Sequence, residues 1–84
     1  MPHITKQEAK TNHIPSKTLQ TIIFPKVLFT KESAKAWLRS HAYKHTHMRT
    51  TTDSYRFWQT PDIIGAEYYS IKLKNGVTLV WQNY

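Results

Sequence analysis

The sequence predicts an α+β fold in which one helix packs on a small antiparallel sheet, in the order β-α-β-β-β after an extended N-terminal arm. Two observations lead to this fold class. An Asn75-Gly76 pair stands between apolar, β-prone runs in the last third of the chain, and such a pair is the strongest short-range signal of a β-hairpin. Earlier in the chain, Ala34, Trp37 and Leu38 recur at the three-and-four spacing of a helix with one apolar face. With 84 residues, the chain has the length of one small domain.

Residues 1–18 are predicted to form an extended basic arm, followed by a single domain over residues 19–84. The arm contains Pro2 and Pro15, is otherwise mostly polar and shows no sustained period. A polar arm stays ordered only where its own domain or a neighbouring molecule holds it. An ordered arm would therefore be a first indication of an assembly.

The domain is predicted to begin with a strand and a helix. Residues 19–24 are apolar and rich in β-branched side chains, and Pro25 ends this strand. Thr30 suits the N-cap of a helix over residues 31–42. Glu32 stands one position too early for a capping box, although its charge still complements the positive helix end.

Two hairpins are predicted after the helix. The β-prone runs 45–50 and 55–60 are separated by residues 51–54, whose side chains suit a turn. For the last hairpin, a three-residue loop over 74–76 with a left-handed Gly76 is favoured, because it collects the apolar residues on one face. This register pairs Leu73 with Val77, Ile71 with Leu79 and Tyr69 with Trp81.

The charge of the chain is strongly and unevenly basic. The formal net charge is +7, and the entire excess lies in the first fifty residues. An acidic partner is expected at that surface. The basic residues singled out are Lys26, Lys31, Lys35, Arg39, Lys44 and Arg49.

The amino-acid composition limits the classes of function that we expect for this protein. Cysteine is absent, which excludes disulfides and thiolate metal sites. No segment has the apolar length of a signal peptide or a membrane span, so we expect a protein that is neither secreted nor transmembrane. No glycine elbow flanks a serine and carboxylates are few, so we expect no catalytic residues, no cofactor and no small-molecule substrate.

The histidines form one cluster with metal-ligating side chains, namely His41, His45 and His47. No cysteine or nearby carboxylate completes a ligand set, so a surface or capping role is expected instead of a metal site. His41 near the helix end would interact favourably with the negative end of the helix dipole.

Aromatic residues make up 13% of the chain, more than one helix on a small sheet can bury. Strand alternation predicts Tyr55 and Phe57 in the core, with Arg56 outward. Outward aromatic side chains are enriched where proteins meet proteins. The predicted aromatic contact residues are Trp58 and Tyr68, from strand alternation, and Tyr84, from its terminal position.

Three motifs stand in order along the chain, namely an A-x-x-WL-x-x-H element, a YRF-x-Q strand and an I-K-L-x-x-G-V hairpin at residues 34–41, 55–59 and 71–77. Through these motifs, residues 22–81 resemble a small uncharacterised domain found in large DNA viruses and bacteriophages. The resemblance implies a viral setting, in the virion or in the cytoplasm or nucleus of the host cell, and a non-catalytic role.

Three functions remain open at this point. The first is a structural or interaction protein of a DNA virus, a minor virion or assembly component whose arm and outward aromatics dock on other subunits with acidic surfaces. The second is a basic nucleic-acid-binding module, in which the cations contact phosphates and Trp58 and Tyr68 stack on bases. The third is an inhibitor that occupies an acidic cleft of a host defence protein.

Overall fold

A computed structural model describes residues 3–84 of the chain. Five strands form one antiparallel sheet in the order β3-β4-β2-β7-β6, and β1 and β5 form a separate two-stranded parallel pair. In chain order the elements are β1 (His3–Ile4), α1 (Lys6–Thr11), β2 (Lys17–Pro25), α2 (Lys31–Ser40), β3 (Met48–Thr50), β4 (Ser54–Trp58), β5 (Asp62–Ile63), β6 (Glu67–Lys72) and β7 (Thr78–Asn83).

Helix α2 packs on one face of the five-stranded sheet through its apolar side. Ala34 and Leu38 of the helix are fully buried, as are Ile22, Phe24 and Phe57 of the sheet beneath it. The Phe24 ring meets the rings of Phe29, Trp37 and Phe57 edge to face, with centroids 5.1, 5.6 and 5.6 Å away. Edge-to-face packing is a favourable arrangement of aromatic rings, so Phe24 lies at the centre of the core.

The ends of α2 are set by local hydrogen bonds. The Thr30 hydroxyl accepts a hydrogen bond from the Ser33 amide at 3.1 Å, and Ser33 Oγ accepts one from the Thr30 amide at 2.9 Å. Ser33 therefore completes a capping box, the role for which Glu32 stands one position too early. At the other end His41 is the C-cap and Ala42 has a φ of 60°, a left-handed conformation that a helix cannot continue. The helix therefore stops at Ser40, two residues before the predicted end.

Both predicted hairpins are present. β3 pairs with β4 around a turn at Thr51, and the final hairpin has the predicted register, with Tyr69 opposite Trp81 and Ile71 opposite Leu79. Gly76 has a φ of 91°, and its amide donates to the Leu73 carbonyl at 3.1 Å. The bulged three-residue loop is thus confirmed.

The prediction of an extended N-terminal arm is wrong. Residues 3–16 contain β1 and the short helix α1, whose capping box joins Thr5 and Glu8. Ile4 lies beside Ile63 in the parallel pair, and Ala9 is fully buried. The segment therefore packs on its own domain, through contacts between residues too far apart in sequence for a local pattern to reveal.

The predicted order β-α-β-β-β also needs correction. The general α+β class holds, but the two hairpins contribute four strands to the main sheet after α2, and β1, α1 and β5 were not predicted. Two-residue strands such as β1 and β5 carry no detectable period, which is why sequence reasoning missed them. Neither helix of residues 3–84 has the length and apolar character needed to cross a membrane.

Candidate interaction surface

The sheet has a second surface on the side opposite α2, with exposed residues on β3, β4 and β6, and we call this surface the open face. Strand alternation assigns to it the residues that point away from α2. The pairs Ile23 and Arg56, Thr21 and Trp58, and Ser70 and Val80 lie opposite each other on neighbouring strands of this face. Together with them, the open face consists of Arg49, Tyr68, Lys72 and Thr78.

One end of this sheet surface is covered by the N-terminal segment and β5. The buried Gln82 side chain accepts from the Ile63 amide at 3.1 Å and donates to the Pro61 carbonyl at 2.9 Å. These bonds hold β5 against β7. The open face therefore starts beside Asp62 and extends toward the β6–β7 loop.

Arg49 and Arg56 are the most informative residues of the open face. They lie directly opposite each other on β3 and β4, and both are exposed. Like charges that face each other across a sheet destabilise the pair. The described part of the chain provides no carboxylate within ion-pair distance of either guanidinium. The site therefore offers two arginine forks to an external anion.

A shallow depression lies next to this arginine pair. Its lining includes the half-buried side chains of Trp58, Val80 and Asp62 and the buried side chain of Thr21. The lining of this depression is mostly polar, and it combines the two arginines with the carboxylate of Asp62. The remaining lining residues are His3, Gln20, Arg49 and Arg56.

Asp62 is engaged by neighbouring side chains. Its carboxylate accepts a hydrogen bond of 2.9 Å from the Tyr68 hydroxyl, and its second oxygen lies 3.6 Å from His3 Nδ1. Desolvation, and next to it the hydrogen bond with Asp62, raises the pKa of the Tyr68 phenol to about 12. Tyr68 is therefore neutral over the physiological range, and its ring is fixed at one end of the open face.

The predicted basic residues do not form one surface. Lys31, Lys35 and Arg39 lie on α2, on the other side of the sheet from Arg49. Lys26 stands 5.4 Å from the centre of the Tyr55 ring, a cation–π contact. The backbone of Lys44 is held by the Gln59 side chain through bonds of 2.8 and 2.9 Å. Of the six predicted cations, only Arg49 lies on the open face.

Of the three predicted aromatic contact residues, two lie on the open face and one does not. Trp58 and Tyr68 both lie on the open face. Tyr84 is instead used within the chain, because its hydroxyl donates to the Ile14 carbonyl and its amide donates to the Ser16 carbonyl at 2.9 Å. It fastens the C-terminus to the N-terminal segment.

Sequence reasoning missed Ile23 and Val80 as site residues. Both belong to strands with consecutive apolar residues, so the sequence shows no polar and apolar alternation that would indicate which side chains point away from α2. Arg56 was predicted to point outward, and the structure agrees, but its position opposite Arg49 depends on the register of the hairpin.

The histidine cluster has no metal-ligand geometry in the described residues, among which no three His, Asp or Glu side chains come together. His41 instead caps α2, as predicted. Its ring stacks on Trp37 with centroids 4.0 Å apart, and a protonated Nδ1 donates to the Trp37 carbonyl at 2.8 Å.

Comparisons of the chain with protein-family models, with curated proteins and with solved structures found no match. The resemblance to a domain of large DNA viruses and bacteriophages stays a prediction, since none of these comparisons tests it.

Proposed function

We propose that this protein is a small non-enzymatic interaction subunit of a DNA-virus assembly, and that its open face docks on an acidic segment of another protein. The viral setting rests on the resemblance of residues 22–81. The docking surface rests on one observation, the facing pair of Arg49 and Arg56 without a carboxylate partner in residues 3–84. Residues 3–16 pack on their own domain, so the docking surface is the open face and not this segment.

The make-up of the open face supports a protein partner. Its centre consists of β-branched side chains, among them Ile23 and Val80, and its rim carries Arg49, Arg56 and Lys72. An apolar centre with a polar rim is the usual anatomy of a protein interface, and arginine is enriched there. Carboxylates of the partner would receive bidentate hydrogen bonds from the arginine forks.

Nucleic acid fits this surface less well. A single strand needs a series of aromatic platforms and a continuous cationic track. Here Trp58 is the aromatic side chain beside the arginine pair, and the carboxylate of Asp62 in the same depression repels phosphate. The lysines of α2 lie on the other side of the sheet and cannot extend the track. Nucleic-acid binding through Arg56 and Trp58 is therefore the second candidate.

The test compares charge reversal on the two sides of the molecule. The open-face variant is Arg49→Glu with Arg56→Glu, and the matched control is Lys31→Glu with Lys35→Glu on α2. We expect the open-face variant to lose at least about tenfold in affinity for a poly-glutamate peptide, while the control keeps its affinity, because the contact is local. Isothermal titration at physiological salt measures both.

Two results would change this assignment. Equal losses in the two variants would contradict docking through the open face, because they would show a response to net charge alone. Tighter binding of a single-stranded oligonucleotide than of the peptide, with a steep salt dependence that the open-face variant removes, would put the nucleic-acid candidate first.

A further inference from the structure

The outer edge of β6 is a second surface without a partner in residues 3–84. β6 pairs with β7 on one side only, and all six of its residues are exposed. The opposite edge of the sheet, formed by β3, is only three residues long. A free edge of this length presents unpaired backbone donors and acceptors to any strand that can align with it.

The hairpin register shows which backbone groups of β6 are free. The Leu73 amide donates to the Val77 carbonyl at 2.8 Å, so residues 73 and 77 form a hydrogen-bonded pair. In an antiparallel ladder such pairs recur at every second residue, so the N–H and C=O groups of Ile71 and Tyr69 also point to β7. The N–H and C=O groups of Tyr68, Ser70 and Lys72 therefore point to the outer edge.

Exposed apolar side chains lie along this edge. Tyr69 and Ile71 point to the α2 side of the sheet but remain 36% and 47% exposed, and the Lys17 ammonium lies 5.6 Å from the centre of the Tyr69 ring. Tyr68, on the open face, is 47% exposed. These side chains together with the unpaired backbone groups form what we call the β6 edge.

We propose that the β6 edge binds a second copy of this chain, with the two β6 strands antiparallel and Ser70 opposite Ser70. A two-fold axis perpendicular to the sheet must pass through a residue position, because only then do opposite residues lie on the same face. The residues in the middle of β6 through which the axis can pass are Tyr69, Ser70 and Ile71. Only the Ser70 centre pairs every outward backbone group of both strands, since it sets Tyr68 opposite Lys72. The other two centres pair Lys72 with Ala66, or Tyr68 with Lys74 in the loop, both outside the strand.

The side chains of the Ser70 register are self-complementary. On the α2 side, Tyr69 of each copy lies opposite Ile71 of the other, so two exposed apolar pairs become covered. On the open face, Lys72 of each copy lies opposite Tyr68 of the other, where its ammonium group can approach the tyrosine ring. At the ends, Glu67 of each copy lies opposite Leu73 of the other, on the α2 side of the sheet.

The dimer has a ten-stranded sheet with both open faces on the same side. The two arginine pairs stand at its two outer ends, since β3 is the strand farthest from β6. A partner with two acidic segments could bind both ends at once and gain avidity. The pairing through β6 does not depend on that partner and is tested without it.

The experiment measures the mass of the full chain in solution by sedimentation equilibrium over a range of concentrations. We expect a concentration-dependent rise from 9.9 kDa to twice that value. Ile71→Glu and Tyr69→Lys should each weaken the association by at least about tenfold, because each sets a charge against an apolar side chain. Val27→Glu is the matched control, since Val27 is 91% exposed in the loop after β2.

A double variant tests the register itself. In the Ser70 register, Tyr69→Lys combined with Ile71→Glu sets residue 69 of each copy opposite residue 71 of the other and so creates two opposite-charge pairs. We therefore expect the double variant to dimerise more tightly than either single variant. A wild-type mass of 9.9 kDa up to about 1 mM would overturn the dimer. A double variant that is folded by circular dichroism and associates no better than the single variants would overturn the Ser70 register.

Discussion

Arg49 and Arg56 show how a single pair of residues can indicate a partner. Both residues are exposed, and they lie directly opposite each other on β3 and β4. Such an arrangement costs a few tenths of a kcal/mol up to about 1 kcal/mol in an isolated sheet. An acidic ligand converts the same pair into a favourable contact, which is the physical reason for choosing the open face as the docking surface.

The Tyr68 hydroxyl donates a hydrogen bond to the Asp62 carboxylate. We expect the Tyr68 phenol to titrate with a pKa of about 12. Because the folded-state pKa is raised above the unfolded value near 10, the neutral phenol contributes stability that is fully present below pH 10 and is lost as the pH rises toward 12. Ultraviolet absorbance of the phenolate measures the titration.

The Asp62→Asn variant identifies the cause of this shift. We expect it to lower the pKa of Tyr68 part of the way toward the ordinary value, since it removes the carboxylate but leaves the larger contribution of desolvation. Asp53→Asn, which removes a carboxylate that does not contact Tyr68, serves as the control. An unchanged titration in Asp62→Asn would show that the Asp62 carboxylate does not lie beside the phenol in solution.

The final hairpin is the element on which both proposed surfaces depend, because its register decides which side chains of β6 face α2. Gly76 sets this register with a φ of 91°. A side chain at this position would bring Cβ to 2.5 Å from Leu28 Cδ1, but Leu28 is 62% exposed and can turn away. The backbone conformation is therefore expected to dominate the cost of a substitution.

At the element scale we predict that Gly76→Ala destabilises the fold by about 1 kcal/mol, because alanine disfavours the left-handed region. Gly76→Asn carries the same Cβ atom but tolerates that conformation better, so we expect it to lose less. Urea unfolding compares the two variants with the wild type. Equal losses would mean that the contact with Leu28, and not the backbone, sets the cost.

At the scale of the whole molecule, the N-terminal segment completes the domain. Residues 3–16 cover the end of the sheet near Gln82 and are held there by Ile63 and Tyr84. A chain of this size buries a smaller share of its surface than a larger domain does, so a segment of this length contributes substantially to its stability.

We predict that Ala9→Glu destabilises the protein by about 2 to 4 kcal/mol, because it forces a carboxylate into a position that is 0% exposed. Gln7→Glu adds the same charge to an exposed position of α1 and should have little effect. Thermal unfolding of both variants measures the difference. Similar melting temperatures for the two would show that α1 detaches from the domain in solution.

The features that depend on neighbours along the chain could be predicted from the amino-acid sequence. The period of Ala34 and Leu38 predicted α2, and the alternation around Gly76 predicted the register of the last hairpin, because helix and hairpin are specified within a few residues. Contacts between distant residues decided the rest. Tyr84 reaches Ile14 across 70 positions, and the side of the sheet that α2 covers separates Lys31 from Arg49. Only the tertiary structure could therefore show the folded N-terminal segment and the open face.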